Sequence, residues 1–96
     1  MDKYEIMFIV KPTLEEAAIK ETVSSLSAII TDMNGKVTDS KDMGKRELAY
    51  PIKKEISGFY YVLTIEASHD IIAEFDRKAR INENILRHQI IKLDEE

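Results

Sequence analysis

Few residues of this 96-residue chain have side chains suited to catalysis, and their spacing does not build a catalytic site. The two histidines are His69, beside Asp70 at the start of a predicted helix, and His88, within a predicted strand. A catalytic histidine works with a nucleophile or an orienting group, and the sequence places neither at a fixed spacing from His88. We therefore predict that the protein is not an enzyme and has no small-molecule substrate.

Binding sites for metals and cofactors have equally little support in the sequence. The chain contains no cysteine, which excludes disulfides and thiolate metal sites. Its three glycines, Gly35, Gly44 and Gly58, are too far apart to form one phosphate-binding loop. We predict no metal site and no cofactor.

The remaining chemistry is that of charge, and the charges are unevenly distributed. With 14 Lys and Arg against 18 Asp and Glu, the net charge is −4, which taken alone argues against a nucleic-acid partner. Residues 41–54, however, hold five basic and two acidic side chains, and residues 77–92 hold five basic and one acidic. Two basic stretches can form a phosphate-binding surface, although charge alone favours an ordinary mixed surface equally.

Length and hydropathy restrict the architecture to one domain around one core. The apolar runs are far shorter than the roughly 20 residues that cross a membrane, and the first residues lack the order of a signal peptide. We expect a single cytoplasmic domain over residues 1–96, with a short acidic end at residues 94–96 and no membrane partner.

Alternation of apolar residues predicts four strands. In the first strand the even-numbered residues face the core, and in the third the odd-numbered ones do. In the last strand Leu86 and Ile90 are expected to face inward and Ile85 outward. The second strand is expected to bend at Gly44, and residues 51–58 are interpreted as a connection. The predicted strands are residues 4–10, 36–50, 59–67 and 85–93.

Apolar residues at spacings of three and four predict two helices. Thr13 followed by Glu16 has the spacing of a capping box, and Asn34-Gly35 is expected to end the first helix. Ser68 is expected to cap the second, shorter helix. The order β-α-β-β-α-β predicts an α+β, ferredoxin-like fold with a four-stranded antiparallel sheet and both helices on one face.

The opposite sheet face is then left uncovered, and strand parity places five apolar side chains on it. A cluster of this kind indicates an interface, although scattered apolar surface residues are common. Stacking of RNA bases on Phe59 and Tyr61, as in RNA recognition motifs, is disfavoured because both share parity with the core residues Leu63 and Ile65. The five residues, here named the open face, are Met7, Ile9, Tyr60, Val62 and Ile91.

The stretch from Gly44 to Lys54, Gly-x-Arg-x-Leu-Ala-Tyr-Pro-Ile-x-Lys, resembles the signature of the bacterial small-subunit ribosomal protein six family. The resemblance continues in register over essentially all 96 residues without a gap. Its further markers are Tyr4-Glu5, Pro12, Gly58-Phe59-Tyr60 and Arg80-Ile81-x-x-Asn84-Ile85-x-Arg87.

This resemblance implies a structural constituent of the small subunit of the cytoplasmic ribosome. It implies binding to a central-domain junction of small-subunit ribosomal RNA, as a heterodimer with small-subunit ribosomal protein eighteen, with the open face as the protein interface. Asp2 departs from the family, in which a basic residue is common there. A ferredoxin-like dimer that senses a small ligand is the alternative. The implied RNA-binding residues are Lys3, Tyr4, Arg46, Tyr50, Lys54, Arg77, Arg80, Asn84, Arg87 and Lys92.

Overall fold

A computed structural model describes residues 2–93 and confirms the predicted element order; the acidic end at residues 94–96 lies outside this range. The four strands form one antiparallel sheet in the order β2-β3-β1-β4, and the fold is ferredoxin-like, as predicted. Within residues 2–93, neither helix combines the length and hydrophobicity needed to cross a bilayer. The elements are β1 (Asp2–Val10), α1 (Glu16–Asp32), β2 (Lys36–Ile52), β3 (Glu55–Ala67), α2 (His69–Ile81) and β4 (Ile85–Lys92).

The core lies between the sheet and the two helices. As predicted, the even residues of β1 point into it, and Leu63 and Ile65 of β3 are fully buried. The Phe8 and Tyr61 rings stack across β1 and β3, with centroids 5.6 Å apart. Each fully buried large side chain contributes about 1.5–3 kcal/mol relative to an exposed one, so this cluster is the main source of stability. The helices add Ile19, Leu26, Ile30, Ile71, Phe75 and Ala79.

The start of α1 differs from the prediction. The helix begins at Glu16, and Glu15 occupies the capping position without a side-chain hydrogen bond. The predicted capping box of Thr13 and Glu16 is therefore wrong, because Thr13 lies in a turn that precedes the helix. Ser68 does occupy the capping position of α2, but its hydroxyl forms no capping hydrogen bond.

The end of α1 is where the sequence places it, and Asn34 takes the left-handed conformation, with φ of 70°. The Asn34 N–H donates to Thr31 O at 3.1 Å and the Gly35 N–H donates to Ile30 O at 2.8 Å. This pair of bonds is the Schellman pattern. Gly35 is needed for space, because a Cβ there would lie 2.7 Å from Ile30 Cγ2.

The predicted connection at residues 51–58 is wrong, because β2 and β3 continue through it as a long hairpin. Only Lys53 and Lys54 form the turn, and both have positive φ, 49° and 71°. Two consecutive positive φ values are typical of the tight turn whose twist matches that of its strands. Pro51 is compatible with β2 because this strand lies at the sheet edge. The predicted bend at Gly44 is confirmed by a register shift and a φ of 79°.

The inward and outward residues at the start of β4 are also reversed relative to the prediction. A register shift between Ile9 and Val10 pairs Ile85 with Val10, so Ile85 is buried in the core. Leu86 instead lies close to Gly58. A one-residue irregularity moves side chains to the other face of a sheet, which explains the error. Further along β4, Ile90 packs on the core as predicted.

Candidate nucleic-acid and protein interface

The distal part of the β2–β3 hairpin, residues 45–58, folds across the open face; we name it the hairpin end. Arg87 Nη1 on β4 donates a hydrogen bond of 2.7 Å to the Tyr50 hydroxyl on β2, although these strands are opposite edges of the sheet. Lys53 Nζ donates to Ile85 O at 3.2 Å. Both contacts attach the hairpin end to β4.

The hairpin end covers part of the open face. Ile9 is only 2% exposed, and Gly58 is required above it, because a Cβ at Gly58 would overlap Ile9 Cγ2. Met7 and Tyr60 line a shallow recess of about 180 Å³ that the hairpin end closes on one side. Sequence parity therefore places Ile9 on the correct face, but its side chain is buried beneath the chain's own hairpin.

The other predicted open-face residues lie side by side on neighbouring strands. Val62 pairs with Met7, and Tyr60 pairs with Ile9. Ile91 lies further along β4, opposite Glu5, and is 45% exposed. The sheet thus brings together an apolar strip that runs out from under the hairpin end.

Predicted RNA-binding residues gather where the hairpin end meets β4. Tyr50 and Lys54 come from the hairpin, and Arg87 from β4. Asn84, which immediately precedes β4, donates from Nδ2 to Thr22 Oγ1 at 3.2 Å. The structure adds Lys53, which lies in the turn of the hairpin and not in an irregular connection. Two adjacent lysines between strand-forming residues are the sequence signal for this position.

Arg46 lies at the base of the hairpin end. It pairs with Gly58, and its Nε donates to Met43 O at 3.3 Å. Its side chain is exposed.

Two further predicted residues lie on α2 and are bound to carboxylates there. Arg77 donates to both Glu74 oxygens, at 2.8 and 3.1 Å. This bond lowers the pKa of Glu74 and raises the pKa of Arg77. Arg80 pairs with Asp76, whose other oxygen lies 2.7 Å from His88 Nε2. Each carboxylate offsets the positive charge of its guanidinium, so a phosphate would be attracted less strongly to Arg77 and Arg80 than to an unpaired arginine.

The last three predicted residues lie at the far end of β1 and β4. Lys92 Nζ is 3.5 Å from Asp2 Oδ2, and Lys3 O accepts the Leu93 N–H at 2.9 Å. Tyr4 is 5% exposed and belongs to the core, so its ring is not available to stack on a nucleotide. This burial does not favour the RNA contact that the family resemblance implies for Tyr4. The ten predicted residues therefore do not form a single surface.

Groups of side chains that could bind a metal or catalyse a reaction are sparse among residues 2–93. Among residues 2–93, no three His, Asp or Glu side chains come together as a possible metal site. His88 is 15% exposed at its side chain and is paired with Asp76, which accounts for it as a packed, hydrogen-bonded residue.

Comparison with known proteins identifies the family. The family model of ribosomal protein S6 matches residues 3–92. The crystal structure of 30S ribosomal protein S6 from Thermotoga maritima superposes with a TM-score of 0.91 at 30% sequence identity, covering 96% of this chain and 87% of that one. The chain belongs to the ribosomal protein S6 family, whose members are structural, non-enzymatic constituents of the small ribosomal subunit.

Proposed function

We propose that this chain binds small-subunit ribosomal RNA at a central-domain junction, together with small-subunit ribosomal protein eighteen, within the cytoplasmic ribosome. The observation that carries the RNA part of this proposal is the convergence of Tyr50, Lys53 and Arg87 where the hairpin end meets β4, with Lys54 next to Lys53 in the hairpin turn. Residues from both basic stretches of the sequence contribute to this cluster.

The Arg87–Tyr50 bond supports a phosphate-binding role for Arg87. A guanidinium has five N–H donors, and the bond to Tyr50 uses one of them. Because the partner is a neutral hydroxyl, the bond orients the guanidinium without neutralising its charge. Arg87 is therefore prepared for a bidentate phosphate contact, whereas the charges of Arg77 and Arg80 are offset by the carboxylates of Glu74 and Asp76.

The net charge of −4 supports the need for a second protein. The total field of the chain repels phosphate while the local cluster attracts it, so we expect weak binding to RNA alone. The open-face strip of Met7, Tyr60, Val62 and Ile91 is the proposed surface for protein eighteen, and a basic partner would offset the acidic total. Ile9 would join this interface only if the hairpin end moved aside.

Two measurements test the proposal. The chain should co-sediment with small ribosomal subunits and be released by high salt. In filter binding, the junction RNA should be retained tightly only when this chain and protein eighteen are both present. Failure of both, together with a stable homodimer in solution, would overturn the proposal and favour the ligand-sensing alternative.

A further inference from the structure

A second concave surface lies on the helix side of the sheet, opposite the open face. It is a groove of about 690 Å³ between α1 and the β2 edge, here named the α1 groove. Its floor is formed by Phe59 and Tyr61 of β3, which are only partly buried, and Val23 forms part of its α1 wall. It is larger than the recess beneath the hairpin end and shares no lining residue with it.

The groove lies beside an irregularity in β2, since both Asp42 and Gly44 line it. The register of β2 shifts between Asp42 and Gly44, and the Gly44 φ of 79° turns the backbone at this point. A bulge of this kind re-aims an edge strand and often lies beside a functional surface. The Tyr61 ring is held in place by its stack on Phe8, so the floor is fixed.

The charge around the floor is negative. Tyr61 is flanked by Asp42 of β2 and Glu16 of α1, and its pKa is raised, first by burial and then by these two carboxylates. Lys20 also lines the groove, 3.4 Å from Glu16, so the lining carries two carboxylates and one ammonium and its net charge is −1. The rest of the α1 rim is polar and small, with Ser24 and Ser27.

We propose that the α1 groove docks a basic amphipathic segment of a partner protein. Apolar side chains of the segment pack on Phe59 and Tyr61, and an Arg or Lys lies against Asp42 and Glu16. Charge complementarity selects this occupant, because an acidic segment, or the phosphates of a nucleic acid, would meet two carboxylates beside an apolar floor. This surface is separate from the proposed RNA and protein-eighteen surfaces and can be tested without them.

An NMR titration with two synthetic helical peptides tests the proposal, one built from Leu, Ala and Arg and the other carrying Glu in place of each Arg. We expect the Arg peptide to shift the amide signals of Val23, Gly44 and Tyr61, with little response to the Glu peptide. Ser24→Trp, which fills the groove from an exposed position, should abolish the response. Asp42→Asn keeps the oxygen that accepts the Gly44 N–H and should weaken binding about two- to five-fold.

Asp39→Asn is the matched control, because Asp39 is an exposed carboxylate of the same strand that does not line the groove. It should leave the affinity unchanged. Equal responses to both peptides, shifts confined to the open face, or retained binding in a folded Ser24→Trp variant would each overturn the proposal. A response to a short single-stranded RNA at the same amides would also overturn it, since the groove would then accept phosphate.

Discussion

The Tyr50 hydroxyl accepts a 2.7 Å hydrogen bond from Arg87, and the bond joins the two edge strands of the sheet. The hairpin end crosses over the two strands that lie between them, β3 and β1, to reach β4. This arrangement gives Arg87 a fixed position on the open face. The contribution of Arg87 to RNA binding can therefore be measured by substitution.

Arg87→Ala should weaken binding of the protein-eighteen complex to junction RNA by about 1–2 kcal/mol and reduce the salt slope by about one. The reason is the loss of one phosphate contact. Tyr50→Phe is the matched comparison: it removes the hydrogen bond and keeps the Arg87 charge, so it should weaken binding less and leave the salt slope unchanged. A titration in which Arg87→Ala leaves the salt slope unchanged would show that Arg87 does not contact phosphate.

Glu74→Gln should strengthen RNA binding if Arg77 contacts phosphate, because the carboxylate that holds Arg77 is then neutral. We expect a gain of about two- to five-fold, the range of an exposed ion pair. The affinity is measured by filter binding at two salt concentrations. Arg77→Ala is measured alongside Glu74→Gln. If both variants bind RNA with the affinity of the unsubstituted protein, Arg77 lies outside the RNA surface.

Val62→Lys should weaken heterodimer formation with protein eighteen while the fold is retained. Val62 lies beside Met7 in the apolar strip, and a buried unpaired ammonium is strongly unfavourable in an interface. Analytical ultracentrifugation gives the dimer affinity, and circular dichroism reports the fold. Ala73→Lys, on the exposed side of α2, is the control. Undiminished partner binding by folded Val62→Lys would contradict the interface assignment.

Gly58→Ala should destabilise the protein by about 1–3 kcal/mol in urea unfolding, because the new methyl group overlaps Ile9. In the double variant with Ile9→Ala the overlap is removed. The loss of unfolding free energy in the double variant should therefore be smaller than the sum of the two single-variant losses. Gly44→Ala serves as a comparison, since it meets no atom within 4 Å and loses stability only through its φ of 79°. Strict additivity of the first pair would disprove the close approach.

The stability of the fold should fall at alkaline pH as Tyr61 ionises. Its pKa is higher in the folded protein than in the unfolded chain, because burial, Asp42 and Glu16 disfavour the phenolate. This contribution is therefore complete below the ordinary tyrosine pKa and is lost as the pH rises through the folded value. The Cζ carbon shift of Tyr61 reports the titration. Asp42→Asn should lower the Tyr61 pKa, whereas Asp39→Asn should not.

Sequence periodicity predicts much of this fold because burial of one face of each strand or helix imposes that periodicity. The alternation in β1 and β3, and the apolar spacing of α2, depend only on which side chains face one core. The reversal at Ile85 and Leu86 depends on a bulge between strands distant in sequence, which periodicity within β4 does not encode. The hairpin end was missed because Pro51 and Gly58 are typical of irregular segments, and an edge strand tolerates both.

The candidate site was predictable as a set of residue types but not as an arrangement. Local charge excess indicates Lys54 and Arg87 as phosphate-binding candidates; Arg87 contacts the hairpin end through Tyr50, and Lys54 lies in the turn of the same hairpin. The sequence does not reveal that the hairpin end crosses the sheet, which buries Ile9 and brings Tyr50 to Arg87. Nor does it reveal that Arg77 is held by Glu74, because several charged residues of α2 lie at suitable spacings.

The crossing of the hairpin end also bears on how the sheet opens. Edge strands ordinarily fray independently, since each has only one neighbour. Here, release of the distal part of β2 also breaks the contacts to Arg87 and Ile85 and uncovers Ile9 between them. The two strands that are farthest apart in the sheet therefore belong to one cooperative unit, and local opening at one edge loosens the other.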